Sequence, residues 1–221
     1  MPRGIRRTPA RPFSLRPAQV IVAGFAAAIV IGTALLSLGP ATAASGSAPV
    51  TTAAFTSVSA VTVTGLASVD TATYWSTFGQ AVILGLVQLG GLGIVTSASV
   101  LILIISRRVG LRGRLAAQAE VRSTGDLASL RRLTGFIIAF TFTVEAVVVV
   151  ALTLRLWLGL GRSFGEALWQ GLFHGVAAFN QAGFSLYSDN LVGFATDALI
   201  LVPIALAVIV GGVGFPVWME L

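Results

Sequence analysis

Residues 55–70 read FTSVSAVTVTGLASVD. The stretch is too polar and too short to cross a bilayer, yet it lies between two long apolar runs. Val61, Thr62, Val63 and Thr64 alternate and then run into Gly65. A related stretch, FHGVAAFNQAGFSLYSD, occupies residues 173–189. Phe55, Val58, Ala60 and Gly65 are matched 118 residues later by Phe173, Val176, Ala178 and Gly183. Asp70 closes the first stretch, and Asp189, after one extra residue, closes the second. Both read as re-entrant pore loops, with the rest of the chain as their scaffold.

The composition places that scaffold in a membrane. Hydrophobic residues make up 56% of the chain and charged residues 10%, with a mean hydropathy of +0.93. A soluble domain carries about 25% charged residues. The net charge of +6 does not point to nucleic acid, because the arginines sit between apolar runs without interleaved aromatics. With no cysteine and one histidine, disulfides, thiolate chemistry and a transition-metal enzyme are not expected.

In chain order, Arg3, Arg6, Arg7, Arg11 and Arg16 stand among prolines in a tail at 1–17. Residues 20–38 suffice for one helical span, which takes about 20 residues. A cleaved signal peptide would share the basic start and the small residues Ala41, Thr42 and Ala43. Its apolar core, however, is about 7–15 residues long, so an uncleaved helix is expected. Gly39 and Pro40 end it. Pro49 suits the first turn of a short helix over 50–60. Trp75 is expected at the membrane interface, and residues 78–105 form a second span. Gly90, Gly91 and Gly93 predict a bend or a close helix contact there.

Residues 107–132 hold seven arginines against Glu120 and Asp126. With the tail they take most of the chain's basic residues, and the positive-inside rule puts both in the cytoplasm. A third span covers 133–154. Ser163 and Glu166 fit a capping box before a second short helix from Phe164 to about Ala178, and a fourth span covers 194–217. The expected organisation is a cytoplasmic tail (1–17), a span–pore loop–span repeat (18–106), a cytoplasmic loop (107–132) and a second repeat (133–221). The fold class is an all-α, multi-pass membrane protein with a cytoplasmic N-terminus.

This arrangement suits a cation. Each short helix entering from outside aims its C-terminal end, about half a negative charge, at the pore centre. Gly65 and Gly183 permit positive φ, so that carbonyls can replace a hydration shell. The candidate filter residues are Val61, Thr62, Val63, Thr64 and Gly65 with Phe179, Asn180, Gln181, Ala182 and Gly183. Asp70 and Asp189, at the outer mouth, would concentrate cations.

SAVTVTGLASVDT at 59–71, FGQAVILGLVQLGGLGIVT at 78–96 and FHGVAAFNQAGFSLYSDNLVGF at 173–194 closely resemble the Trk/Ktr/HKT potassium-uptake proteins, especially the Ktr-type membrane subunit. The resemblance covers roughly residues 20–221. It implies a potassium-selective, channel-like pore of four repeats, not an enzyme, with K+ as transported ion and no cofactor of its own. Gly65 and Gly183 would be the filter glycines. In some relatives a serine in the first loop goes with sodium permeation, so Gly65 argues for potassium. Sodium dependence stays open. The resemblance also implies a cytoplasmic ring of nucleotide- and dinucleotide-binding regulatory subunits, for which the 107–132 loop is a candidate contact. Two repeats stand here where the family has four. A second copy or another half-chain is therefore expected to complete the pore, the alternative being a non-conducting half-protein.

Other residues carry two readings. Glu145, mid-span, is a functional candidate by default or a carboxylate bonded to a neighbouring helix. His174 reads as a packed, hydrogen-bonded histidine rather than a gate or ligand. Gln80 and Gln88 suit bonds between helices. Thr62 and Asn180 either face the ion or brace the filter from behind.

Overall fold

The computed structural model describes residues 17–108, 127–213 and 217–218. Most of the 1–17 tail, the centre of the 107–132 loop and residues 214–216 of the fourth expected span lie outside these residues. Among the described residues are seven α-helices: α1 (Pro17–Leu36), α2 (Val50–Val61), α3 (Thr71–Tyr74), α4 (Thr77–Arg108), α5 (Leu127–Leu154), α6 (Phe164–Phe179) and α7 (Ala198–Val213). There is no strand among the described residues. Within them Thr134–Gly159, 26 residues with a mean hydropathy of 2.4, is long and apolar enough to cross a bilayer. Ile21–Leu36, Val50–Val61, Thr77–Gly93 and Ala198–Val213 are shorter apolar stretches.

The helices pack as two groups of three. In the first, α1, α2 and α4 touch pairwise; in the second, α5, α6 and α7 do. Contact between α4 and α6 joins the groups. One buried cluster runs across that seam, from Val61, Ile83 and Val87 to Phe173, Val176 and Ala182. A second, with Ile137, Val148, Leu152 and Ala207, fills the space between α5, α6 and α7.

Helix ends follow local chemistry. Ser163 caps α6 through Oγ, which accepts from the Glu166 N–H at 3.3 Å. The Glu166 carboxylate turns instead to Arg162, at 2.7 Å, and to the Gln170 amide, so the reciprocal half of the capping box gives way to an ion pair. The start of α7 falls at Ala198 rather than Phe194, because Asp197 accepts from the Leu199 N–H at 3.1 Å and is held by Arg155 at 2.9 Å. Val192–Phe194 forms a turn of 3-10 helix.

Trp75 corrects an expectation. It is 1% exposed, packed inside the first cluster and edge-on to Tyr74. The reason is backbone pairing: Ala43 N–H donates to Tyr74 O and Ser76 N–H to Ala41 O, both at 2.9 Å. That clip folds the 39–48 linker over the indole. The glycines of α4 likewise mark close contacts, since α4 runs through them as continuous helix.

Candidate functional site

α2 and α6 end in the same way. Thr64 N–H donates to Ser59 O (2.9 Å) and Val63 N–H to Ala60 O (3.2 Å). Ala182 N–H donates to Ala177 O (2.7 Å) and Gln181 N–H to Ala178 O (3.0 Å). These paired 6→1 and 5→2 bonds define a Schellman cap. Such a cap needs a left-handed residue at its fifth position, a place that glycine usually fills. Here that residue is Val63 (φ 54°) in one loop and Gln181 (φ 57°) in the other. A β-branched residue with positive φ is a steric outlier, and left-handed geometry costs about 1–2 kcal/mol per residue. Strain of this kind clusters at functional sites.

The chain leaves each cap with φ alternating in sign. Thr62 (φ −85°) and Val63 (54°) lead through Thr64 to Gly65 (77°); Asn180 (−79°) and Gln181 (57°) lead through Ala182 to Gly183 (71°). Alternation of hand turns successive N–H groups to one side, and hence the carbonyls to the other. No backbone or side-chain donor among the described residues pairs with the carbonyls of 62–65 or 180–183. Polar backbone without a protein partner needs water or an ion.

The two segments meet. A Cβ added to Gly65 would stand 2.6 Å from the Ala182 carbonyl oxygen and 3.0 Å from Gly183 Cα. One added to Gly183 would stand 3.1 Å from Gly65 Cα. Thr62, Thr64, Gln181 and Gly183 are exposed on this side. Val61 and Phe179, the last helical residues, are buried, and their carbonyls lie on the next long helices. A Cβ at Gly90 would be 2.2 Å from Val61 O, and one at Gly211 2.0 Å from Phe179 O. Each of these glycines lies some 13 residues, about 20 Å, into its helix.

Beyond the glycines opens a cavity of about 400 Å3 lined by Ser68, Asp70, Gly65, Gly183, Tyr187 and Ser188, among others. Asp70 caps α3 and accepts from Ser188 Oγ at 2.5 Å, Ala72 N–H at 2.9 Å and Thr73 Oγ1 at 3.0 Å. The Ser188 hydrogen bond above all holds this carboxyl below the usual aspartate value; burial, the next largest effect, opposes it, and the bonds from Ala72 and Thr73 add to the lowering. Ser188, not Asp189, meets Asp70 across the cavity. Asp189 is exposed, with its carboxylate beside Gly193, and does not line this wall.

Behind the second segment, Asn180 turns its side chain away from the open carbonyls. Nδ2 donates to Gln88 Oε1 and Glu145 Oε1, each at 3.0 Å, and to Val176 O at 2.9 Å. Gln88 Nε2 donates to Glu145 Oε2 at 3.3 Å. Thr62 instead keeps its hydroxyl on Val58 O (2.8 Å) and Thr64 Oγ1 (2.6 Å). His174 is packed and bonded as expected. Nε2 accepts from Leu186 N–H (3.2 Å), which assigns the proton to Nδ1, facing Gln170 O at 2.8 Å. The ring also stacks on Tyr187. It thereby ties the strand of chain after Gly183 back to α6.

Sequence reasoning missed the left-handed Val63 and Gln181 and the Ser188–Asp70 bond. It also missed the convergence of Gln88, Glu145 and Asn180. The repeat alignment carried a signal for one of these: Gln181 stands where the first loop has Val63.

Residues 7–221 match the TrkH family of cation transport proteins. The chain belongs to this family. It is 39% identical over 203 residues to the Ktr system potassium uptake protein B of Bacillus subtilis, covering 91% of this chain and 44% of that protein. It is 36% identical over 199 residues to the protein of the same name from Vibrio alginolyticus, covering 90% and 43%. The potassium/sodium uptake protein NtpJ of Enterococcus hirae is 30% identical over 207 residues, covering 94% and 45%. The chain thus spans about half the length of the curated relatives it matches. The TrkH assignment agrees with the resemblance read from the two loops, and with the all-helical, apolar fold of a membrane protein.

Proposed function

We propose that this chain supplies two carbonyl-lined segments, 62–65 and 180–183, to the selectivity filter of a potassium-uptake pore in the cell membrane. Each belongs to a span–pore loop–span repeat, 18–106 and 133–221, entering from outside with the N-terminus in the cytoplasm. Val61 and Phe179 anchor the segments, and Asp70 marks the outer mouth, with Asp189 further out. One observation carries the reading: two loops with the same caps, the same alternation of φ and open carbonyls meet at Gly65 and Gly183.

Magnitudes assign the roles. A half charge at each helix end, roughly 6 Å from a monovalent cation at an effective dielectric of about 20, contributes on the order of 1–1.5 kcal/mol. Two such ends favour a cation over an anion but do not separate potassium from sodium. Discrimination therefore rests on the number and placement of carbonyls. Two segments wall only part of an axis, and their exposed flank at Thr62, Thr64, Gln181 and Gly183 is where further loops would close it. A second copy, or further chain of the kind that the longer relatives contain, supplies them. A cytoplasmic nucleotide-binding regulatory subunit would meet the arginine-rich 107–132 loop.

The second reading is a non-conducting half that assembles with other membrane chains through the exposed flank at Thr62, Thr64, Gln181 and Gly183. Rescue of a potassium-uptake-deficient bacterium at low potassium separates the two, since only a conducting assembly supports growth. In that assembly Gly65→Ser lowers the preference for potassium over sodium. An unchanged preference in flux assays removes the filter assignment.

A further inference from the structure

Glu145 and Gln88 lie outside both carbonyl segments, yet both converge on Asn180, the residue at which α6 hands over to the open carbonyls. Glu145 is 3% exposed and comes from α5; Gln88 comes from α4, in the other helix group. Three acceptors surround the Asn180 amino group: Gln88 Oε1, Glu145 Oε1 and Val176 O, at 2.9–3.0 Å. This fixes the amide orientation. Its Oδ1 then lies on the α4 backbone at Gly91, where a Cβ would come within 1.7 Å. Both Glu145 oxygens face amide donors, one on Asn180 and one on Gln88. The side chain of Asn180 is thus held from three helices.

We propose that Glu145, Gln88 and Asn180 form a positioning triad that sets the placement of the second carbonyl segment and thereby the ion preference of the pore. This rests on the filter reading above. The chain of action is short. Asn180 has a backbone geometry (φ −79°, ψ −1°) that aims its own carbonyl and starts the alternation of hand. A side chain clamped on both amide faces keeps that peptide from rotating. Preference between ions is sensitive to such placement, since functional groups must be held within about 0.5 Å of the productive geometry. Among the described residues the first segment has no counterpart: the Thr62 hydroxyl bonds to its own helix and to Thr64. The triad therefore stiffens one segment and leaves the other to local caps.

The test uses the potassium-transporting assembly that contains this chain. The readout is the ratio of potassium to sodium uptake at equal abundance in the membrane. Glu145→Gln puts a donor opposite the Gln88 amide, and Gln88→Glu puts two carboxylates side by side. Each lowers the ratio by about tenfold, the scale of one charged hydrogen bond. The exchange, Gln88→Glu with Glu145→Gln, reverses the bond between positions 88 and 145 and leaves Asn180 an acceptor at each of these positions. It restores the ratio to within about twofold of the parent, because bonded neighbours act as a pair and their effects do not add. A role in packing alone predicts no such rescue. Singles that keep the parent ratio overturn the proposal, as does an exchange that fails to recover it or fails to reach the membrane. Gly65→Ser, run alongside, separates the two claims. If it leaves the ratio unchanged, the filter reading falls. If it lowers the ratio while the triad variants do not, only the triad falls.

Discussion

Alanine at Gly65 is the sharpest perturbation that the geometry allows. Gly65 has φ 77°, and an L-residue there costs about 1–2 kcal/mol. The new methyl would stand 2.6 Å from the Ala182 carbonyl oxygen and 3.0 Å from Gly183 Cα. Both are backbone atoms, so no side chain can rotate away, and overpacking of this kind costs about 1–3 kcal/mol. The total is about 2–5 kcal/mol against the parent loop geometry. At roughly 1.4 kcal/mol per tenfold, the low end already reduces its population about 30-fold. Gly183→Ala pays a similar backbone cost (φ 71°), but its nearest neighbour, Gly65 Cα at 3.1 Å, is only a few tenths of an ångström tight. Its effect is expected near tenfold. Gly24→Ala, in α1 with nothing beyond its own helix backbone and chain neighbours within 4 Å of the added methyl, is the control. Potassium uptake against concentration, with sodium as competitor, ranks the three. The expected order of damage is Gly65 first, then Gly183, with Gly24 at parent behaviour. A Gly65→Ala protein with parent affinity and preference would refute the reasoning.

Three other outcomes follow from contacts around the two loops. Gly90→Ala and Gly211→Ala drive a methyl onto the Val61 and Phe179 carbonyls. Each should lower stability by about 1–3 kcal/mol, less up to about 1 kcal/mol of helix propensity, read as a lower thermal midpoint of the purified protein. Asp70 is held below its ordinary pKa of 3.8. Its bonded, ionised state is therefore present above that pH and lost only as pH falls through the lower value. Across pH 5–8 this group contributes no pH dependence to uptake. Ser188→Ala removes the largest cause of the depression and moves the acid limb of cation uptake to higher pH; an acid limb that stays put argues against the Asp70–Ser188 tie.

Much of the site is written in residue types with local meaning. Gly65 and Gly183 were legible because positive φ selects glycine, and their echo in sequence identified both loops. The two short helices were legible from Pro49 and Ser163 and from the apolar runs after them. Val63 and Gln181 were not, because neither side chain favours the left-handed region. Hydrogen bonds of the whole cap hold them there, and no single residue announces them. Asn180 offered two readings from sequence, and the choice depended on Gly91, Gln88 and Glu145, brought together only by packing of α4 and α5 against α6. Trp75 was misplaced because an interfacial and a buried tryptophan look alike in sequence; the backbone clip from 41–43 to 74–76 decides between them. Asp189 echoed Asp70, but the extra residue in the second stretch puts Ser188 at the cavity wall.

In the proposed filter the open carbonyls of 62–65 and 180–183 hold a dehydrated monovalent cation. Rubidium, which scatters anomalously and substitutes for potassium, locates such a site directly in crystals of the assembled protein. The expected result is an anomalous peak on the axis beside Gly65 and Gly183, within coordinating distance of those carbonyls and diminished by Gly65→Ala. Rubidium found only in the Asp70 cavity, with the carbonyls of both segments turned to protein donors, would contradict it.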